Sequence, residues 1–278
     1  MANRARVLID CIDSEGLVYR FSKVFYEQNL NIDTNREFVD IEKGKFFMRS
    51  VVTGEFDIDE LQKELIAIAP QNAHIRVIEP KSKKIVLMAT KESHCLGDIL
   101  IRWAAGELEA DIEAVISNRD NLRDLTRRFD IPFLYISSDG VERKEHEEQI
   151  VNVLNGLDFD YIVLAKYMRI LSSDFVDRYP ERIINIHHSF LPAFIGANPY
   201  KQAHERGVKI MGATAHFVTN DLDEGPIISQ DVIPINHRFD WKAMQRAGRD
   251  VEKIVLAKAL SFVLNDRVFV NGNKTIVF

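Results

Sequence analysis

The chain has 278 residues, 46% hydrophobic and 28% charged, with 36 basic side chains set against 42 acidic ones for a formal net charge of -6. An acidic balance without a long basic face excludes general binding to nucleic acid or to an anionic membrane, where counterion release supplies the driving force. The two cysteines, Cys11 and Cys95, match neither a zinc spacing nor a disulfide framework, so a reducing, cytoplasmic setting is expected. No apolar run reaches signal-peptide or bilayer-spanning length.

The first 80 residues read strand, helix, strand, strand, helix, strand. Arg6 to Cys11 is a short apolar strand, and Asp13-Ser14-Glu15-Gly16 is a turn. Leu17 to Gln28 follows with helical spacing that sets Leu17, Phe21, Val24 and Phe25 on one side. Ile32 to Asp40 and Phe46 to Thr53 are strands joined by the polar turn Glu42-Lys43-Gly44-Lys45. Asp57 is placed to cap a helix over Ile58 to Ala69, and His74 to Ile78 is a last strand. A split βαβ order of this kind makes an antiparallel, ferredoxin-like sheet with both helices on one face. With Asp-x-x-Gly-Leu-Val at the first strand–helix turn, it resembles an ACT domain. The resemblance implies a small amino-acid effector and a homo-oligomer; a plain oligomerisation domain is the alternative.

Glu79-Pro80-Lys81-Ser82-Lys83-Lys84 is a polar connector, and the domains are expected at residues 1–80 and 84–278. From Ile85 short apolar runs (Ile85 to Ala89, Ile112 to Ile116, Pro132 to Ile136, Tyr161 to Ala165, Ile183 to Ile186) alternate with amphipathic segments near 97–107, 120–129, 143–157 and 172–178. That alternation predicts a mostly parallel sheet covered by helices on both faces, a Rossmann-like α/β domain. Gly212 to Thr219 and Ile227 to Pro234 add strands, and Trp241 to Leu264 is a long helix. Val268 to Val270 and Thr275 to Val277 flank Asn271-Gly272, a favoured hairpin turn. The cluster Glu142 to Glu148 reads as the self-paired polar face of a helix.

Ligands of an open parallel sheet bind beyond the carboxyl ends of its strands, and Asn185, His187 and His188 follow the run Arg182 to Ile184. Position alone leaves two readings open: a cleft amide with two imidazoles, or a turn cap with surface histidines. Leu222-Asp223-Glu224-Gly225-Pro226 is by itself only an acidic turn between strands.

Together, Asn-Ile-His-x-Ser-x-Leu-Pro from Asn185, Gly-x-Thr-x-His-Phe-Val ending at Val218, and Leu-Asp-x-Gly-Pro-Ile-Ile from Leu222 resemble the formyltransferase catalytic domain that uses 10-formyltetrahydrofolate. The segment Tyr167-Met168-Arg169-Ile170-Leu171 is similar to that family's folate-pocket segment. The resemblance implies that Asn185 polarises the formyl oxygen, that His187 acts as general acid/base near the formyl-bearing nitrogen, and that Asp223 holds the attacking group and relays its proton. It further implies a pterin held by Met168, Arg169, Ile170 and Leu171, mainly through backbone groups, with His216 in support. An amide donor strengthens its bond as negative charge grows on oxygen, and an imidazole both takes and gives a proton near neutral pH.

Two departures bear on the acceptor. After Ala89 the chain runs Thr90-Lys91-Glu92-Ser93-His94-Cys95-Leu96-Gly97-Asp98, where the transformylase of a phosphorylated glycinamide ribonucleotide has a glycine-rich phosphate turn. The position between His187 and Ser189, usually proline in the transferases, is His188, a second imidazole suited to hold or deprotonate water, with a solvent-facing spacer as the alternative. With the ACT-like module and Glu37-Phe38-Val39-Asp40, Phe46-Phe47-Met48-Arg49 and Phe129-Asp130-Ile131-Pro132-Phe133, the chain resembles the formyltetrahydrofolate deformylases. That implies hydrolysis of 10-formyltetrahydrofolate to tetrahydrofolate and formate, which serves the one-carbon pool for purine synthesis. Formyl transfer to an unphosphorylated amine is the alternative. The folate is the substrate, no further cofactor is implied, and no cluster with metal-ligand spacing occurs. Cys95 reads as a buried thiol rather than a nucleophile.

Overall fold

The computed structural model describes residues 3–193 and 199–278. The chain divides into two compact units, residues 1–81 with 265–271 and 276–278, and residues 82–264 with 272–275.

The first unit contains β1 (Asn3–Ile12), α1 (Leu17–Glu27), β2 (Asn31–Asp40), β3 (Lys45–Gly54), α2 (Ile58–Ile68) and β4 (His74–Ile78). The strands form an antiparallel sheet in the order β2-β3-β1-β4. Side chains alternate across a strand, so Val7, Ile9 and Cys11 of β1 join Phe21, Phe25, Leu61 and Leu65 of the two helices in one core. Leu8 and Phe47 point the other way and pack against Phe269 and Phe278 from the end of the chain. Covering both faces buries Leu8 as completely as Ile9. The same back face is tied down by polar contacts, with Arg6 2.9 Å from Asp266 and Arg49 donating to the carbonyls of Asn265 and Asp266. Asp57 caps α2 by accepting from the Glu60 amide at 2.9 Å.

The second unit runs β5 (Lys83–Ala89), α3 (His94–Ala104), β6 (Ala110–Ser117), α4 (Arg123–Arg127), β7 (Phe133–Tyr135), α5 (Arg143–Leu154), β8 (Tyr161–Leu164), α6 (Ser173–Val176), β9 (Ile183–His187), α7 (Pro199–Arg206), β10 (Ile210–Phe217), β11 (Ile227–Pro234) and α8 (Trp241–Leu264). The end of the chain adds β12 (Val268–Asn271) and β13 (Lys274–Val277), which form a two-stranded sheet. The seven strands of the large sheet stand in the order β11-β10-β9-β8-β5-β6-β7, parallel from β9 to β7, with β10 and β11 antiparallel at one edge. The chain order reverses between β5 and β8, and the crevice beyond the carboxyl ends of those two strands is where a sheet of this kind takes a ligand.

Three expectations change. His187 lies within β9 rather than beyond the run Ile183 to Ile186, because β10 pairs with β9 through His187 and so extends the strand. An eight-residue helix, α7, follows the site loop where the periodicity showed none. The cluster on α5 is self-paired and mostly exposed, with Arg143 3.3 Å from Glu147, but His146 and Glu147 themselves are buried. His146 donates from Nε2 to the Ile136 carbonyl at 3.0 Å, and Glu147 accepts from the Ser172 amide at 2.9 Å and from its hydroxyl, anchoring the start of α6. Among the described residues no helix is long and apolar enough to cross a membrane.

Candidate active site

Two residues apart on one strand, Asn185 and His187 project from the same face of the sheet. The antiparallel register sets His216 of β10 opposite Asn185 and Thr214 opposite His187, so His216 joins them on that face. The remaining acid comes from the β10–β11 turn. Gly225 lies so close to this turn's base that a Cβ there would sit 1.9 Å from the Phe217 carbonyl oxygen, and only glycine allows that approach. Asp223, two residues earlier, takes a left-handed φ of +58° and turns its carboxylate back over the strands.

The resulting contacts are directional. The His216 Nδ1–H donates to its neighbour's carbonyl, Phe217 O, at 2.9 Å. A carbonyl only accepts, so in the neutral ring Nε2 is left as an acceptor and takes a hydrogen bond from the Asn185 amide nitrogen at 3.2 Å. Burial holds the His216 pKa below the ordinary imidazole range, which keeps this tautomer neutral. One amide hydrogen of Asn185 is thereby fixed on His216, and the second is directed elsewhere. His187 Nδ1 lies 3.1 Å from Asp223 Oδ1, and since the carboxylate accepts, Nδ1 carries the proton. Its other ring nitrogen, Nε2, is buried without a hydrogen-bond partner among the described residues. An orphaned buried nitrogen of this kind is rare in native proteins and marks a position that a ligand atom would satisfy. Burial pushes the Asp223 carboxyl up, but the His187 hydrogen bond and the charges of His187, His216 and His188 outweigh it and leave the group lowered.

His188 stacks on His187, ring centroids 4.9 Å apart and planes at 21°. Burial, then the positive charges of Lys166 and His187, bring its pKa down to about 4. It is therefore an unprotonated imidazole at neutral pH, with a lone pair to offer.

These groups open on a cavity of about 390 Å³ that brings together Asn185, His187, His188, His216 and Asp223 with Met168, Arg169, Ile170 and Leu171. Met168 and Ile170 are exposed apolar side chains on its rim, each 58% accessible. Such a rim suits a flat aromatic ring. The segment is held at the switch point by the Met168 amide, which donates to Thr90 Oγ1 at 3.0 Å; that hydroxyl in turn donates to Asn118 Oδ1 at 2.9 Å.

Three residues of the site were not anticipated. Lys166 and Glu252 form a buried ion pair at 3.2 Å, and Tyr200 donates its hydroxyl to the same carboxylate. Lys166 had a signal, a charged residue at the end of an apolar strand run. Glu252 had none, being one acid in a helix rich in charge, and Tyr200 sits on the unanticipated α7. His94 Nε2–H donates to Glu252 at 2.7 Å. The ligand-type atoms of His94, Cys95 and Glu252 lie within 4.8 Å of one another. Both carboxylate oxygens already accept from Lys166, His94 and Tyr200, however, and an ammonium at 3.2 Å is a poor neighbour for a divalent ion. Burial raises the Cys95 thiol far above its ordinary range, so it is not poised as a nucleophile.

Residues 83–260 match the formyl transferase family model. The chain is 51% identical over 277 residues to the formyltetrahydrofolate deformylase of Haemophilus influenzae, covering 100% of both chains. Among solved structures it is similar to a formyltetrahydrofolate deformylase from Pseudomonas syringae pv. tomato, at 42% identity and a TM-score of 0.96, covering 100% of this chain and 95% of that one. A glycinamide ribonucleotide transformylase from Symbiobacterium toebii matches 71% of this chain and 94% of its own, at 28% identity and a TM-score of 0.68.

Proposed function

We propose how the site works on one premise: this chain belongs to the formyltetrahydrofolate deformylase family, an assignment carried by 51% identity over the whole length of a curated member. The reaction is hydrolysis of 10-formyltetrahydrofolate to tetrahydrofolate and formate. The folate lies along Met168 to Leu171, with its formyl group turned toward Asn185 and His187.

Water adds to the formyl carbon, and the carbonyl electron pair moves onto oxygen. Asn185 donates its second amide hydrogen to that oxyanion, and protonated His187 donates from Nε2. The donors are held by His216 and Asp223 before any charge forms, so no reorganisation is needed at the moment of reaction. The attacking water gives its proton to His188, which burial keeps unprotonated at neutral pH. His187 then passes its Nε2 proton to the folate nitrogen, the carbon–nitrogen bond breaks, and formic acid departs as formate. Asp223 accepts the His187 Nδ1–H throughout and stabilises the imidazolium. The observation that supports this reading most directly is the buried, unpartnered Nε2 of His187, a residue that lines the cavity together with Asn185.

The test is direct. Purified protein given 10-formyltetrahydrofolate without any amine is expected to release formate, and a rate that saturates with an added amine would make it a transferase instead. The expected setting is cytoplasmic, within the one-carbon pool that feeds purine synthesis. For the first unit we propose amino-acid binding and assembly into a homo-oligomer; the ten-residue β2 at the sheet edge, exposed over most of its length, supports the pairing. Calorimetry with glycine and other small amino acids tests the first role, and sedimentation the second.

A further inference from the structure

One buried cluster has no part in the mechanism above. Lys166 leaves β8 with φ +65°, a left-handed conformation unfavourable for any residue with a Cβ. Its side chain is 5% accessible and its ammonium lies 3.2 Å from Oε2 of Glu252, itself 1% accessible. The same oxygen accepts from His94 Nε2 at 2.7 Å, and Oε1 accepts from the Tyr200 hydroxyl. Burial pushes the Glu252 carboxyl up, but the His94 hydrogen bond, the Lys166 charge and the Tyr200 hydroxyl outweigh it and hold it at about 2. A buried ion pair is weak evidence for stability, because both ions lose their hydration. A lysine kept there against backbone strain therefore calls for another reason.

The reason lies across the cavity wall. Lys166 lines the same cavity as His188, and the Tyr200 ring stands 6.1 Å from the His188 ring on the way to Glu252. We propose that Lys166 is a positioning residue of the hydrolysis: pinned by Glu252, its ammonium keeps His188 in the unprotonated form that accepts a proton from the attacking water. This rests on the reading of His188 as the base for that water. The charged groups acting on His188 are Lys166 after β8, His187 on β9, Asp223 in the β10–β11 turn and Glu252 on α8. The two carboxylates favour the imidazolium. Burial first, then Lys166 and His187, oppose them and prevail. Without the cation, His188 would take a proton at a higher pH and so stop accepting one from water earlier as pH falls.

The experiment is an NMR titration of the histidines of the full chain, run beside the pH dependence of kcat/KM for formate release. His188→Gln identifies the His188 resonance and is expected to remove the acidic limb of the profile. Lys166→Met should raise the His188 midpoint by about one pH unit or more, a tenfold change in proton affinity per unit, and carry the acidic limb with it. Lys166→Arg keeps a cation and should leave the midpoint close to that of the parent. Should Lys166→Met fail to fold, the neutral pair Lys166→Met with Glu252→Gln replaces it. A smaller upward shift is expected there, because the lost cation acts on His188 more strongly than the lost carboxylate. An unchanged midpoint in a folded Lys166→Met variant overturns the proposal and leaves His188 as the base. Full activity and an intact acidic limb in His188→Gln overturn the reading of His188, and the proposal with it.

Discussion

Replacing Asp223 by asparagine keeps the shape of the β10–β11 turn and removes one charge. The carboxylate oxygen lies 3.1 Å from His187 Nδ1, with side chains 12% and 8% accessible. Two unit charges at that separation attract by about 5 kcal/mol at an effective dielectric of 20. A neutral hydrogen bond from the new amide oxygen recovers about 1 kcal/mol of this. The imidazolium proposed to hold the oxyanion therefore loses roughly 3–5 kcal/mol, which at 1.36 kcal/mol per decade lowers kcat by roughly 10²–10⁴-fold. The segment Met168 to Leu171, proposed to hold the folate, is untouched, so product affinity should stay within about threefold. Formate release under saturating 10-formyltetrahydrofolate measures the first quantity and calorimetry with tetrahydrofolate the second. Far-ultraviolet circular dichroism confirms that the variant is folded. A folded Asp223→Asn enzyme within tenfold of the parent kcat would show that the His187–Asp223 contact has no part in the chemistry.

Further outcomes follow from other contacts. Asn185→Ala removes the proposed oxyanion donor, fixed by His216, and should lower kcat by about 10²–10³-fold with KM little changed, as steady-state kinetics would show. Activity should hold as pH falls from neutrality and disappear through about 4, where His188 takes a proton and can no longer accept one; a limb centred near 6.5 would contradict this. His146, His188 and His216 all have folded pKa values depressed below the 6.5 of a free imidazole. Their contribution to stability is full above 6.5 and is lost as pH falls through that value toward their folded pKa values, because the unfolded chain binds the extra protons. The thermal midpoint should therefore drop between pH 7 and pH 5. Glu147→Ala strands the Ser172 amide and hydroxyl at the head of α6. At about 2–3 kcal/mol for the buried charge-assisted bonds, it should lower the melting temperature by about 5–10 °C.

Much of the site was legible because its chemistry is local. Asn185 and His187 carry their spacing with them: two residues apart on any strand, they share a face. Gly225 and Asp223 likewise announce a tight turn. Glu252 and Tyr200 were not legible, since each reaches the site only when α7 and α8 pack against the sheet, and nothing along either helix distinguishes them from solvated neighbours. The same limit hid the burial of Glu147, whose partner Ser172 stands 25 residues away.

The amino-acid order alone determined most of the element types, the parallel character of the large sheet, and a set of residues, Asn185, His187 and Asp223, whose chemistry can move a proton or hold an oxyanion. Periodicity, turn chemistry and the intrinsic chemistry of each side chain are properties of short segments. Tertiary structure alone decided the register of β10 on β9, which turns His216 into the support for Asn185. It also decided the return of Phe269 and Phe278 to the back of the first sheet, and the charge environment of His188. Each of these depends on groups distant in sequence brought within a few ångströms, and the low dielectric of a closed interior makes such neighbours matter.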